Sequence, residues 1–363
     1  PDKKPRQSHN IQHSSRQSGK TFDYTFSYGN LDYNCYHSRA WRKCLMNAWD
    51  MISMADTASY QMSQGSYTLR SLITEYLYMS RGVNCTPEQI ILTSGHQRSI
   101  DIITHIFSPS DYSFAIEDPG YNGTWEIVSQ SPFRIIPIPL ENDGVSIDHI
   151  QRLRDTLLYV TPSHQFPMGS ILPISKRLEL IEWAAQSGSY IIEDDYDSEF
   201  RYASRPIPAL GELDRTGRVV YVNTFAKSLA PGLRIGYLVL PNALMARYRE
   251  RFSRYSSTVP SFDQYTLAAF MHTGGFERHI SRSRKVYQAR RDALMAALDR
   301  ELADLPHEVS RSEAGLHLLL HMRNGMLEHE LIERAKASGV RVYPLSAYYT
   351  PPVKPPRATL VLG

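Results

Sequence analysis

Residues 218–237 read Arg-Val-Val-Tyr-Val-Asn-Thr-Phe-Ala-Lys-Ser-Leu-Ala-Pro-Gly-Leu-Arg-Ile-Gly-Tyr. The run Arg218 to Asn223 is short, apolar and β-branched, the pattern of a strand buried on both faces. Lys227 follows directly, and Ala230-Pro231-Gly232 turns the chain toward a second strand, Arg234 to Leu240. A lysine in a loop at the carboxyl edge of a sheet stands where α/β folds bind their ligands. It is also isolated: the chain has nine lysines, and only Lys176 and Lys227 fall between Lys43 and Lys285. Lys176 opens an amphipathic helix, where an amine is solvated. An enclosed amine at position 227 is suited to form a Schiff base with an aldehyde cofactor.

Working outward, short apolar strands alternate with helices. Strands are predicted at Gln89 to Thr93, Ser113 to Glu117, Arg134 to Pro139, Leu157 to Thr161 and Tyr190 to Asp194. Helices are predicted from about Ser94, over Lys176 to Gln186, and earlier from Leu69 to about Arg81. This alternation indicates a mostly parallel sheet covered on both faces. Upstream, Trp41, Leu45, Ala48, Trp49 and Ile52 recur at helical spacing. Downstream, a long helix is expected from Gly275 to Leu302. A smaller α+β unit follows, with strands at Leu316 to Leu320 and Val340 to Pro344 and a helix at Leu327 to Ala337. The expected organisation is a linker remnant over 1–21, an N-terminal arm and part of a small domain over 22–68, and a large ligand-binding domain over 69–275. The interdomain helix and the C-terminal small domain occupy 276–363.

Composition limits the function classes. With 42% hydrophobic and 21% charged residues, the 363-residue chain is ordinary globular protein. A formal net charge of +3 gives no reason to propose nucleic-acid binding. No apolar run is long enough to span a membrane. Cys35, Cys44 and Cys85 form no CxxC pair and read as reduced thiols of a cytoplasmic protein. The 13 histidines show no metal spacing, so no metal is expected. HExxH, Walker, GxGxxG and GxSxG motifs are absent. Arginines on the long helix read as a solvated face. The chain opens on proline with a polar leader, which reads as a piece of something longer.

The residues that suit an aldehyde cofactor lie at predicted strand ends. Asp194 ends a buried strand, where a carboxylate needs a partner; a protonated pyridine nitrogen supplies one, and its charge makes the ring an electron sink. Tyr196 is placed to hydrogen-bond the ring's phenolic oxygen. Gly95, His96 and Gln97 open a helix straight after a strand, a setting that binds phosphate. Thr224 and Arg234 flank Lys227 and reach for the same phosphate. Tyr121, in a turn after a strand, offers a stacking face.

These residues sit in motifs that resemble fold-type I pyridoxal-phosphate (PLP) enzymes, the run from Asn223 to Tyr237 above all. Thr161-Pro-Ser-His-Gln-Phe-Pro-Met-Gly169 and Ile192-Glu-Asp-Asp-Tyr-Asp-Ser-Glu-Phe200 narrow the resemblance. They are similar to the aminotransferase-like domain of MocR-type transcriptional regulators, the GabR, PdxR and DdlR group, over nearly the whole chain from Phe22.

The resemblance implies the fold-type I aminotransferase fold, α/β with a large and a small domain, and a homodimer. It implies that Lys227 holds PLP as an internal aldimine, that Asp194 pairs with the pyridine nitrogen, and that Tyr196 bonds the ring oxygen. Tyr121 would stack on the ring, and Gly95, His96, Gln97, Thr224 and Arg234 would hold the phosphate. Tyr60 matches a tyrosine that reaches the partner subunit's phosphate, and Arg357 an arginine that clamps the carboxylate of an amino-acid ligand. Four departures stand out. Ala226 replaces the usual serine before the lysine. The aminotransferase asparagine is absent, with His164 or Gln165 in its place. Gly123 stands where GABA-sensing members carry arginine. The N-terminal winged helix-turn-helix of the family and its final helix are missing. The implied function is an effector-binding domain that senses a small amino compound, D-alanine-type ligands, a dipeptide or PLP itself, by external aldimine formation. DNA would be bound only through the missing module. A true aminotransferase is the competing expectation, and a cofactor-free interaction domain leaves Asp194 and Lys227 unexplained.

Overall fold

The computed structural model describes residues 22–32, 39–52, 58–202, 207–310, 313–350 and 358–363. The early strands and helices are β1 (Tyr24–Thr25), α1 (Arg39–Met51), α2 (Tyr67–Arg81), β2 (Ile90–Thr93), α3 (His96–Ile106), β3 (Ser113–Asp118), α4 (Asn122–Ser129), β4 (Ile135–Glu141) and β5 (Gly144–Val145). Then come β6 (Thr156–Val160), α5 (Ile174–Gln186), β7 (Tyr190–Asp194), β8 (Val219–Thr224), the single turn α6 (Phe225–Ser228), β9 (Gly236–Val239), α7 (Asn242–Phe252), α8 (Ser261–His272) and α9 (Gly275–Glu301). The chain closes with β10 (His307–Val309), β11 (Leu318–Met322), α10 (Glu328–Ala337), β12 (Val340–Arg341), β13 (Tyr343–Pro344) and β14 (Thr359–Leu362).

The large sheet has eight strands in the order β2-β9-β8-β7-β6-β3-β4-β5. Strands β8, β7, β6, β3 and β4 run parallel, while β9 is antiparallel to both β8 and β2. Strand β2 therefore points the same way as β8, and the carboxyl ends of β2, β3, β6, β7 and β8 share one edge.

Alternation within the strands explains why they read as unbroken apolar runs. In β8, Tyr221 packs with Leu69, Ile73 and Leu77 of α2 and with Phe270 of α8. Val220 and Val222 face the other way, onto Ile100 and Ile103 of α3 and Leu244 of α7. Both faces are covered, so both parities of side chain are apolar until the strand reaches its carboxyl end at Asn223 and Thr224. Toward β4 the layer passes to Leu158, Val160 and Ile191 against Leu180 and Ala184 of α5.

A second, antiparallel sheet, β10-β11-β14-β13, carries Leu318, Leu320 and Leu360 against α9 and α10. The segment expected as one strand from Val340 to Pro344 is two short ones. Strand β12 pairs in parallel with β1 of the arm, and β13 pairs with β14. One stretch cannot serve both partners without breaking.

Two further expectations change. Of the apolar stripe on α1, Trp41 and Ala48 are buried, whereas Leu45 and Trp49 are exposed; Trp49 stacks on Phe262 with centroids 4.8 Å apart. The arginine face of α9 is also less free than expected. Arg290 pairs with Asp32 of the arm, and Arg284 donates to the Glu199 carbonyl at 2.8 Å. Cys44 and Cys85 are buried free thiols, and Cys35 lies outside the described residues. No described helix is long and apolar enough to cross a membrane.

Candidate functional site

A cavity of about 190 Å³ opens at the shared carboxyl edge, lined by Tyr28, His96, Gln97, Tyr121, Thr161, Phe166, Asp194, Tyr196, Thr224, Ala226, Lys227 and Arg234. Six parts of the chain far apart in sequence meet there. The topology brings them together because every parallel strand ends at the same rim.

Lys227 projects from α6, whose first turn is capped by Thr224: the Thr224 hydroxyl accepts from the Ala226 N–H at 3.2 Å. Its Nζ lies 3.7 Å from the centroid of the Tyr28 ring. Burial lowers the amine to about 8, with Asp197 pulling in the opposite direction. A buried amine near neutrality is a nucleophile for a carbonyl carbon.

Asp194 ends β7 and is buried. Its Oδ2 accepts from the Tyr159 hydroxyl and lies 3.0 Å from His96 Nε2. Its Oδ1 is buried without a partner among the described residues. A carboxylate oxygen left bare at a cavity wall calls for a donor from outside the chain. The His96 imidazole turns to Asp194, while its backbone stays at the start of α3.

At that start, Gly95 caps α3 with φ 98°, and a Cβ built there would meet Arg234 Nη2 at 2.9 Å. Only glycine lets the guanidinium lie against the helix end. Arg234 itself is left-handed, φ 52°, and donates to the Ser94 carbonyl at 3.2 Å. A helix N-terminus and an exposed guanidinium thus face one rim of the cavity beside Gln97 and Thr224.

Tyr121 meets His96 and Phe166 edge-on, with centroids 5.4 and 5.8 Å apart. A Cβ on Gly123 would lie 2.5 Å from Tyr121 Cε1, so the glycine at that position makes room for the phenol to fold back over it. The Tyr196 hydroxyl donates to the His164 carbonyl at 2.9 Å. His164 itself stands behind Tyr196, off the cavity wall, with Nδ1 2.9 Å from Asp197 Oδ2. Gln165 turns away as well, donating to Glu117, to Pro119 and to its neighbour's carbonyl. Tyr60 is almost fully exposed and outside the cavity, and Arg357 lies outside the described residues.

Four contributors escaped the sequence. Tyr28 comes from the arm, held at its base by Phe26 N–H to the Arg341 carbonyl, and carries no local signal. Tyr159 looked like one more apolar strand residue. Phe166 belongs to the motif quoted above but has no polar atom to mark it. Asp197, within the same motif as Asp194 and Tyr196, has no sequence signal of its own.

Behind the site, Glu117 Oε2 accepts from the backbone N–H and the hydroxyl of Thr161, at 3.1 and 2.6 Å, and from Gln165 at 3.2 Å. Burial raises this carboxyl to about 7 from an ordinary 4.5, despite those donors. The folded state therefore holds a proton that the unfolded chain releases earlier, so stability falls as pH rises through that window. Glu117→Gln mimics the protonated form and is expected to flatten part of the fall in melting temperature between about pH 5 and pH 8. Differential scanning fluorimetry reads this directly; an unchanged slope would mean that Glu117 is ionised in the folded chain.

Residues 25–357 match the family model of aminotransferase class I and II. The chain is 42% identical over 356 residues, 97% of its length and 75% of the relative's, to the uncharacterized HTH-type transcriptional regulator YdeL of Bacillus subtilis (strain 168). It is 35% identical over 311 residues, 86% of its length and 62% of the relative's, to the probable rhizopine catabolism regulatory protein MocR of Rhizobium meliloti. Among solved structures it is similar to an archaeal alanine:glyoxylate aminotransferase, with a TM-score of 0.84 at 23% identity over 95% of this chain and 86% of that one. The fold is that of the fold-type I aminotransferases, and it implies pyridoxal phosphate. The residues fit that group: a nucleophilic amine, a bare carboxylate oxygen for a pyridinium N–H, and a helix N-terminus with a guanidinium for a phosphate.

Proposed function

The chain belongs to the aminotransferase class I and II family, and from that membership we propose that it is the effector-binding and dimerisation part of a MocR-type, PLP-dependent transcriptional regulator. The observation that carries the cofactor part is the facing of Lys227 and the bare Asp194 Oδ1 across one cavity. What favours a regulator over an enzyme is the identity to an HTH-type regulator along almost the whole chain. We divide it as the sequence suggested: large domain 69–275, small domain 276–363 with the arm.

When bound, PLP supplies an aldehyde for amine exchange and a ring that withdraws electrons. The chain's residues do the rest. Asp194, its other oxygen fixed by Tyr159 and His96, keeps a proton at the pyridine nitrogen. The backbone at Gly95 and His96, with Gln97, Thr224 and Arg234, takes the phosphate. Tyr121 covers one face, and the Tyr196 hydroxyl is available to the ring oxygen. Tyr28 closes the space above Lys227 and excludes water. Arg357 is the proposed clamp for the effector's carboxylate, and His164 acts through Tyr196 rather than by touching the ring. Glycine rather than arginine at position 123 leaves no cation two residues after Tyr121, which suits an effector with one carboxylate, a small amino acid, a D-alanine-type compound or a dipeptide.

The exposed apolar side chains of Leu45, Met46, Trp49, Tyr60 and Met62 suit contact with a second copy, with Tyr60 reaching the partner's phosphate. DNA contact would belong to an N-terminal helix-turn-helix, and the setting would be cytoplasmic. The test is a titration of the PLP-loaded chain with small amino compounds, followed by visible absorption and by product analysis. A saturable spectral change without oxo-acid release is expected. Steady turnover with an oxo-acid acceptor would make the chain an aminotransferase.

A further inference from the structure

The arm over 22–32 is fastened to one part of the molecule and touches another. It is tied along its length to 276–363. Strand β1 pairs with β12, and the N–H groups of Asp23 and Tyr24 share the Gly339 carbonyl at 2.8 and 3.2 Å. Phe26 donates to the Arg341 carbonyl at 2.9 Å and accepts from the Gly363 N–H at 3.2 Å. The Asp32 N–H donates to the Tyr287 hydroxyl at 3.0 Å, and the Asp32 carboxylate pairs with Arg290 of α9. A Cβ built on Gly363 would meet the Tyr28 Cα at 2.6 Å, so the arm's backbone lies against the end of β14.

Tyr28, between these fastenings, crosses to the cavity. Its ring lies 3.7 Å from Lys227 Nζ, with Phe166 at 4.4 Å and Tyr196 edge-on at 6.4 Å between centroids. Gly29 follows with φ 117°, and a Cβ there would stand 3.6 Å from the same nitrogen, so the backbone also passes over it. Burial raises the Tyr28 hydroxyl, which stays neutral, and the ring meets the nitrogen with its face. A ring face attracts an ammonium, the more so where water is excluded.

That contact depends on what the nitrogen carries. A free amine that takes up a proton presents a compact ammonium to the ring. Bonding to an aldehyde carbon forms a C=N bond with loss of water, and the carbon's substituents then need room beside the nitrogen. An effector's amine that takes over the carbon forms the new C=N bond and returns Lys227 as the free amine, with no net change of protons. The arm has room to respond: Phe26, Ser27 and Asn30 line a second cavity of about 390 Å³, shared with Leu294, Leu318 and Leu362.

We propose that Tyr28 reads the state of the Lys227 nitrogen. The arm docks on the free amine, lifts when that nitrogen is bonded to a carbonyl carbon, and docks again when an effector's amine takes the carbon over. The small domain, to which the arm is tied, is then the part that registers the effector. The proposal rests on the reading above, in which Lys227 and an effector exchange one carbonyl carbon.

Hydrogen exchange of the 363-residue chain, read by mass spectrometry on the peptide from Phe22 to Asp32, tests it. Without cofactor, the unaltered arm is expected to exchange slowly. PLP is expected to speed it by at least about threefold. From a panel of small amino compounds beginning with D-alanine, the member that shifts the visible band is expected to slow it again. Lys227→Met fills the space without a charge. Its arm is expected to exchange at least about threefold faster than the unaltered one without cofactor, and not to respond to PLP. Tyr28→Phe keeps the ring face and the response, and Tyr28→Ala loses both. The amides of β11, Leu318 to Met322, are expected to stay unchanged, whereas a general loosening would move them. Equal arm exchange in PLP-free Lys227→Met and the unaltered chain, an arm slowed by PLP, or an arm that stays fast when the band shifts would overturn the proposal. A missing band on PLP addition, or a band that no amino compound shifts, is the failure of the cofactor and effector reading, and the PLP-free comparison still decides whether the arm docks on the amine.

Discussion

Lys227→Ala is expected to abolish the visible absorption band of the PLP-loaded chain and the borohydride-stable label that marks the lysine. Among the described residues Lys227 is the only lysine that lines the cavity, so no described neighbour can substitute for its amine. The phosphate rim at Gly95 and Arg234 and the carboxylate of Asp194 are untouched, so PLP would still bind, more weakly and reversibly. The fold is expected to survive. The amine is enclosed, its basicity is lowered to about 8 by that burial, and among the described residues no carboxylate lies within ion-pair distance of it. Removing a desolvated cation relieves a cost rather than creating one. The melting temperature should therefore stay level or rise while the band disappears. A band that persists in Lys227→Ala, with mass spectrometry locating the label on another lysine, would disprove the assignment.

That contrast between chemistry and stability bears on what a sequence can reveal. Strand β8 and Lys227 were legible because a doubly covered strand must be apolar at both parities, and because a lone lysine breaks a lysine-free stretch. Asp194 was legible for the same reason, as a charge at the end of a run that has no place for one. Tyr28 was not, since a residue on an arm is brought to the site by pairing of β1 with β12, far away in sequence. Nor was the turning of His96 toward Asp194. A helix-start histidine has several partners within reach, and the choice depends on Tyr159 from a third strand. The exposed face of α1 misled in another way: helical periodicity marks an apolar stripe but does not say whether the chain's own core or another surface covers it.

Arg81→Met is expected to be the most damaging single substitution away from the cavity. Arg81 ends α2 and is buried; its Nε lies 2.6 Å from Asp195 Oδ2, and its Nη2 donates to Ser163 at 2.9 Å and to Asp195 Oδ1 at 3.3 Å. Burial alone would lower the guanidinium, but Asp195 more than reverses this and holds it above its ordinary value. Asp195 responds in kind. Burial pushes it up, and Arg81 with the hydroxyls of Ser163, Tyr221 and Ser198 holds it below the usual carboxylate value. Methionine fills most of the space and leaves an unpaired buried carboxylate, a loss of about 3–5 kcal/mol. Urea or thermal unfolding measures it. A carboxylate whose folded value is depressed contributes stability above its unfolded value, here 3.8, and that contribution disappears as pH falls through the folded one. In Arg81→Met the depression is gone, so the deficit should be widest near neutrality and shrink toward acid pH. The double variant Arg81→Met with Asp195→Asn should recover part of the loss, because Tyr221 and Ser198 can still bond the amide and no bare charge remains. If Arg81→Met costs less than about 1 kcal/mol, the pair behaves as a solvated ion pair and the end of β7 is wetter than its burial implies. The result also reaches the cavity. Asp195 anchors the residue next to Asp194, so an unpaired Asp195 should weaken PLP binding through the position of the neighbouring carboxylate, and the double variant should restore it together with stability.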